Sequence, residues 1–569
     1  MRHLSRVLLP TALRRRARTL PGLPGVPSQP QPGQRARGQR ERGPVGPADP
    51  PPRTREDELL DALPDAVRDQ GLLAVVSDTL LPADVRAANL HAAVAAMEAA
   101  GIPYGLVPEP GPARRLAIAP DDRARAVEAC AEAFAGRPFY ARLLGAGGGN
   151  LGDVLAEALP RALADRETDR QVGGVRLYRR VVTSGRTLRH GPELGCDLDF
   201  WTPSASGQGG VASLRETPYG WWLPSLQATA VRRIGGRDCR VLDALTGRFP
   251  HDIDFPVDAV ISWVDSADPA WRRRREQAGA AAEAGRPHGV DDAEHRYRDR
   301  GELRYCLRSI AAHAPWIRHV FLVTDRQTPP WLAAGHPGIT VVDHRDLFAD
   351  ADSLPVFNSH AIESQIHRIR GLSEHFLYFN DDIFLGREQQ PQHYFLPSGL
   401  PKVFHDRRAV PPSPPGADGD DDVFSASQRA TRRAVEEAAG RTYPYILAHT
   451  PYPLRRSFFA RVEKALPGRL DATGRSVFRS ATDLAPVTLA AHLALAEGRA
   501  VEGELTHAYV ATDQPEAGEH LADLVRRRDA DAFCLADDAG TQVPQERQQR
   551  TVTAFLEAYF PVPSPYELP

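Results

Sequence analysis

Three acidic positions in this chain stand directly behind short apolar runs. Asn380-Asp381-Asp382 follows 376–379 (FLYF), Asp265 follows 259–264 (AVISWV), and Asp537 follows Phe533-Cys534-Leu535-Ala536. Hard divalent cations take oxygen ligands, often one or two carboxylates plus substrate phosphates. Two adjacent Asp at a strand exit, one directed to each side of the chain, meet that need; the plain alternative is a polar strand-to-loop exit. His449 sits just before Pro451, which stops regular structure, and a loop-edge imidazole suits proton transfer near neutrality. Arg479, in Val477-Phe478-Arg479, has the planar fork that grips a phosphate through two N–H groups. Within 359–368 (SHAIESQIHR), helical spacing puts Glu363 and His367 on one face at i, i+4, next to a stripe of Ile362, Ile366 and Ile369. That pair could set a base's pKa, bind a metal, or simply form a solvated helix face. A second carboxylate pair, Asp197 and Asp199, alternates with Leu198 and Phe200; the pair could hold a metal, but the spacing favours the wet face of a half-buried strand.

The elements that must position these groups read as α/β. The runs at 259–264, 319–323 (HVFLV) and 376–379 are apolar throughout, which predicts strands buried on both faces in a mostly parallel, Rossmann-like sheet. Leu303, Leu307 and Ile310 form the apolar stripe of a helix ending before Pro315. In open α/β sheets ligands bind beyond the carboxyl ends of the strands, where the acids collect. Residues 441–569 read as mostly helical, with 560–565 (FPVPSP) extended against the body. The preceding region, 56–247, reads as a smaller α/β domain with strands in LLAVVSD, IPYGLVP, GVRLYRRVVT and CDLDFW and an amphipathic helix closed by Gly101. Residues 279–293 form an Ala/Gly-rich insertion and 409–422 a polar loop. The predicted division is thus a tail (1–55), an accessory domain (56–247) and a catalytic domain (248–569).

Composition excludes several classes. At 569 residues, 42% hydrophobic and 25% charged, the chain is globular, and no apolar run approaches the roughly 20 residues that span a bilayer. The net charge of −3 conceals about +10 in residues 1–55, where twelve Arg face Glu41 and Asp49 among eleven prolines, and therefore about −13 in the remainder. That tail reads as disordered, with weak attraction to an anionic membrane surface. It does not read as a secretion signal, because Pro10 breaks its short apolar stretch and Arg14-Arg15-Arg16 follows. An acidic body argues against nucleic-acid binding. With Lys402 and Lys464 the only lysines, neither after a glycine-rich loop, there is no phosphate loop of the G-x-x-x-x-G-K kind. Five scattered cysteines without a C-x-x-C point to a reducing compartment.

Taken in order, the motifs resemble the Stealth family of sugar-1-phosphate transferases, which includes bacterial capsular and exopolysaccharide phosphotransferases and the animal enzyme that marks lysosomal glycoproteins. Four blocks carry the resemblance over most of 254–567: 254–265 (DFPVDAVISWVD); 302–309 (ELRYCLRS) through Ile362-Glu363-Ser364 to Asn380-Asp381-Asp382; a third with His449 and Arg479; and a fourth from Cys534-Leu535-Ala536-Asp537 to 560–567 (FPVPSPYE). The resemblance implies Asp258, Glu363, Asp382, His449, Arg479 and Asp537 as the essential set. It implies Asp382, Asp381 and Asp537 around a Mg²⁺ or Mn²⁺, and Arg479 with Arg304 on the donor. Departures are Ser266 where glycine is usual, Ala536 where Asn is usual and Asp325 where Asn is frequent. The implied reaction moves a hexose-1-phosphate from a nucleotide-diphosphate sugar, UDP-N-acetylglucosamine for example, to a glycan hydroxyl in the cytoplasm or at the inner membrane face. A metal-dependent glycosyltransferase and an inactive carbohydrate-binding protein are the alternatives.

Overall fold

Four parallel strands and one antiparallel strand make the sheet that organises the site. They are β1 (Val257–Ser262), β2 (Val320–Thr324), β3 (Ile339–Asp343), β4 (His375–Asn380) and β5 (Tyr452–Arg455), in the order β3-β2-β1-β4-β5, with β5 running against β4. Every residue of β2 is buried, as are the first five of β1 and of β4. This is the two-sided burial that the apolar runs predict. The chain leaves β1 to build β2 and β3 on one side, then returns to lay β4 on the other, so strand order reverses between β1 and β4. Beyond the carboxyl ends of those two strands a doubly wound sheet has its crevice.

The computed structural model describes residues 53–569 apart from 110, 112, 206–208, 284–289, 292, 411–421 and 538–541. The predicted disordered tail, up to residue 52, most of the 409–422 loop and part of the 279–293 insertion lie outside the described residues. Helical order begins at the tail's last residue, in Arg55–Ala62, where Thr54 caps the first turn and Asp57 answers it in a capping box. Thr54–Pro569 form one compact unit.

Among the described residues, no strand before residue 242 shares a sheet with one after 256. The earlier region holds a four-stranded sheet and a mixed ten-stranded one, with the helix Pro82–Ala99 on the latter. The expectation for Asp197 and Asp199 fails here. The strand Cys196–Pro203 is central, paired with Arg114–Ile118 and Val172–Arg179, and both carboxylates are buried. Arg176 and Arg215 meet Asp197, and Arg215 and Arg115 meet Asp199. They form a buried ion network, neither a wet face nor a metal pair. Bidentate Arg86–Glu388 contacts and an Arg528 bond to the Thr187 carbonyl join this region to the later sheets.

The stretch read as mostly helical also supplies strands. β5 closes the main sheet, while β7 (Ala532–Ala536) lies between β6 (His507–Ala511), which runs parallel to it, and Ile383–Leu385, which runs antiparallel. The C-terminal segment lies along the body as the prolines predict: Glu567 receives both arms of Arg308 and pairs with Leu332. All five cysteines are buried and none is in a disulfide. Among the described residues no helix is long and apolar enough to cross a membrane.

Candidate functional site

At the end of β4 the chain turns through Asp381 and Asp382 into Ile383–Leu385, and the Leu535 amide of β7 pins the turn at the Asp382 carbonyl. The Asp382 side chain points at His449: Oδ1 lies 3.5 Å from Nε2, while Cys534 donates its S–H to Oδ2 at 3.4 Å. His449 is aimed from behind by Tyr452, whose Oη is 2.9 Å from Nδ1, and Asn380 Nδ2 stands 3.4 Å from Nε2. Donor atoms of Asp382, His449 and Cys534 all lie within 4.8 Å of one another. Asp382 Oδ1 and Asn380 Oδ1 are both buried without a hydrogen-bond partner. Two orphaned oxygens two residues apart at one strand end are a polar deficit of the kind a cation would fill.

Glu363 and Arg479 stand beside this group. The Arg479 guanidinium donates to Ser359 Oγ at 2.5 Å, and Ser359 opens the short helix Ser359–Glu363. Burial pushes the Glu363 carboxyl up to about 7, against the opposing pull of Arg479 and His449. Burial holds Arg479 below its usual value, and the neighbouring Arg296 cation adds to that. Tyr378 and Tyr452, both raised by burial, feel the Glu363 charge from the sheet side. Four predicted residues from four distant segments (Glu363, Asp382, His449, Arg479) thus share one neighbourhood at the switch point.

The remaining predicted positions fall elsewhere. Asp258 lies at the opposite, amino end of β1, four residues before Ser262, or about 13 Å at the usual strand rise. It is fully buried, takes both arms of Arg318 at 2.8 and 2.6 Å, and accepts from the Ser373 amide. This is a brace under the sheet. Arg304 points away from the crevice: its guanidinium stacks on Trp331 and lies 3.6 Å from Glu567, fastening the C-terminal segment. Asp537 does follow β7, but its oxygens are occupied. Oδ2 accepts from Arg298 and Arg300 at 2.6 and 2.7 Å, and Oδ1 from Gln548. Asp381 sits in the field of Asp382, Glu302 and Asp299, and burial together with those charges raises it well above the usual carboxylate range. Glu363 and His367 do not pair. Ser364 Oγ bonds back to the Ala361 carbonyl, the helix ends, and His367 stacks on Phe459.

The residues that sequence reasoning missed are Asp291 and the strap 293–302. Asp291 pairs in register with Arg479, and Arg296 bonds to Asp291. Tyr297 Oη donates to the Phe357 carbonyl, and Asp299 accepts from Trp263 just beyond β1. Gly301, at φ 91°, turns the strap into the helix Glu302–His313; any side chain there would be strained. Burial and the Asp299 charge push Glu302 up to about 8. The available signal was the alternation in Arg296-Tyr297-Arg298-Asp299-Arg300, which in an extended segment sends Arg298 and Arg300 to one side and Asp299 to the other.

Four family models match in order: Stealth protein conserved region 1 over residues 255–282, region 2 over 296–403, region 3 over 448–496 and region 4 over 522–569. Exopolysaccharide phosphotransferase SCO2592 of Streptomyces coelicolor is 42% identical across 88% of this chain, which spans only 53% of that protein. Exopolysaccharide phosphotransferase SCO6023 of the same organism is 39% identical over 87% of this chain and 84% of its own. Exopolysaccharide phosphotransferase CpsY of Mycobacterium tuberculosis is 35% identical over 89% of this chain and 92% of its own. Among solved structures, the galactosyltransferase LgtC with donor and acceptor sugar analogs aligns at 12% identity and a TM-score of 0.27, covering 52% of this chain and 96% of that one.

Proposed function

Because this chain belongs to the Stealth family, we propose that it transfers a hexose-1-phosphate from a nucleotide-diphosphate sugar, a UDP-sugar such as UDP-N-acetylglucosamine, to a hydroxyl of a growing glycan. One observation carries the reading: Asp382, His449, Glu363 and Arg479 converge at the switch-point crevice. Relatives named exopolysaccharide phosphotransferases support the acceptor class, and the supply of nucleotide sugars favours the cytoplasm.

In the reaction, the acceptor oxygen attacks the phosphorus attached to the sugar. The acceptor O–P bond forms, the bridging O–P bond of the diphosphate breaks, and UMP leaves with the bridging oxygen. His449 is the base. With its ring proton on Nδ1, donated to Tyr452 Oη, Nε2 is an unprotonated acceptor beside Asn380 Nδ2, and the acceptor hydroxyl takes the place of that amide to give up its proton. Arg479 meets phosphate charge in a buried setting where a guanidinium acts strongly, and Glu363 answers that cation when the site is empty. Asp382 Oδ1 and Asn380 Oδ1 fit a hard divalent cation, Mg²⁺ or Mn²⁺. When bound it would offset the diphosphate charge. Cys534, through its bond to Oδ2, holds the Asp382 carboxylate in orientation.

Incubation with a panel of nucleotide sugars and a glycan acceptor tests this directly. Release of the nucleoside monophosphate, with a phosphodiester signal in the ³¹P spectrum of the product, is the expected result. Release of the nucleoside diphosphate with an ordinary glycosidic linkage would instead assign attack at the anomeric carbon.

A further inference from the structure

Single exposed aromatic rings are ordinary on a protein surface, but Tyr509, at 41% exposed, packs against the base. It sits on β6, the edge strand of the sheet that contains Ile383–Leu385, where Ala508 and Val510 turn into the core and Tyr509 faces outward. In register it lies opposite Cys534, so the two side chains stand on one face of the sheet, and Cys534 is the group bonded to Asp382. The Tyr509 ring meets the His449 imidazole edge to face, with centroids 6.4 Å apart and planes at 69°. Arg408, itself exposed, lies with its guanidinium carbon 5.5 Å from the Tyr509 centroid and gives Nε to Asp406. Tyr509, Arg408 and Asp406 take no part in the phosphate, cation or proton chemistry of Arg479, Asp382 and His449. None of that chemistry, in turn, recognises the acceptor's ring.

A hydroxyl that gives its proton to His449 Nε2 comes within about 3 Å of that atom, and the sugar ring carrying it must rest on the surface beside the imidazole. On the β6 side that surface is Tyr509. A pyranose ring has an apolar C–H face and a rim of hydroxyls, so it matches an aromatic ring bordered by one guanidinium and one carboxylate. We propose that Tyr509 is the platform on which the acceptor's sugar ring stacks while its hydroxyl reaches His449, with Arg408 and Asp406 hydrogen-bonding the remaining hydroxyls. The assignment deepens the reading above and rests on its glycan acceptor and on His449 as base, but glycan binding can be measured apart from turnover. Its consequence is a division of labour: Tyr509 governs affinity for the acceptor and not for the donor.

The experiment is saturation-transfer NMR of the full chain with oligosaccharide fragments of mannan, dextran and galactan, beside calorimetric titration with UDP in the presence of Mn²⁺. Melting curves confirm folding of each variant. Expected is binding of at least one fragment by the unmutated chain, which Tyr509→Ala weakens about tenfold, the loss of one aromatic contact. Tyr509→Phe and Tyr509→Trp should keep most of that binding, because the ring and not its hydroxyl makes the contact. Arg408→Ala should weaken it by a smaller factor, and UDP affinity should stay the same in every variant. In turnover the loss should appear in the acceptor KM and not in the donor KM. Unchanged glycan binding in Tyr509→Ala, a loss in Tyr509→Phe as deep as in Tyr509→Ala, or an equal loss of UDP affinity would overturn the proposal, as would binding of no fragment by the unmutated chain. Glycan binding that depends on Tyr509 in a chain that releases no nucleoside monophosphate from any nucleotide sugar would keep the platform and sink the phosphotransfer reading. Phosphotransfer whose acceptor KM ignores Tyr509→Ala would do the reverse.

Discussion

At the scale of single residues, the site depends on groups taken out of water. His449 keeps its place through Tyr452 on one nitrogen and the Asn380–Asp382 pair on the other. His449→Gln retains the size and one polar contact but cannot accept a proton, so turnover should fall by about 10²–10⁴ with donor affinity preserved, as steady-state kinetics would register. Glu363 makes a prediction of opposite character. Burial pushes its carboxyl from an ordinary 4.5 up to about 7, so the folded chain binds the extra proton. Its contribution to stability is therefore fully present below about pH 4.5 and is lost as pH rises through 7, with a full span on the order of 3 kcal/mol. Urea unfolding from pH 5 to 8 should show that downward slope in the parent chain. It should flatten in Glu363→Gln, which loses activity at every pH.

At the scale of elements, the main sheet separates support from chemistry by its two ends. Chemistry gathers at the carboxyl ends of β1 and β4. At the amino end, Asp258 joins β1 to Arg318 ahead of β2 and to Ser373 ahead of β4. Asp258→Ala leaves a buried amide unsatisfied and a half-exposed arginine without its partner. The cost should be about 2–3 kcal/mol of stability, seen as a lower melting temperature, while activity per folded molecule stays within a few-fold of the parent. An equal loss of activity with unchanged melting would return Asp258 to the catalytic set. The short helix Ser359–Glu363 shows how an element's end fixes a role. Had it run on through His367, as its periodicity suggests, Glu363 would share a face with an imidazole. Instead the helix stops, and Glu363 lies in the field of the Arg479 cation.

At the scale of the whole molecule, the region before residue 242 is fastened to the later sheets by buried polar contacts. Arg86 is nearly buried and gives both arms to Glu388. Glu388→Ala strands that guanidinium, and calorimetry should record a loss of about 3 kcal/mol, larger than a surface ion pair could yield. Unfolding of residues 54–569 in one transition, with Arg86 and Glu388 helping to couple the layers, is the accompanying expectation.

The primary sequence determined a good deal of this by itself. Uninterrupted apolar runs predicted β1, β2 and β4, because a strand covered on both faces admits no polar alternation. Proline and glycine placed the ends of several helices. Residue chemistry marked Asp382 at its strand exit, whereas His449 and Arg479 stood out from the other histidines and arginines only through the order of four motifs, which indicated the family. Only the tertiary structure decided which acids act together. Asp258, Asp381, Asp382 and Asp537 look alike as local patterns, a carboxylate bordering an apolar strand. Yet Asp258 braces the far end of the sheet, Asp381 lies in the field of other acids, and Asp537 is claimed by two arginines. The physical reason is that a carboxylate's role is set by what surrounds it in space. Here the decisive neighbours lie up to 239 residues away, as Arg298 does from Asp537.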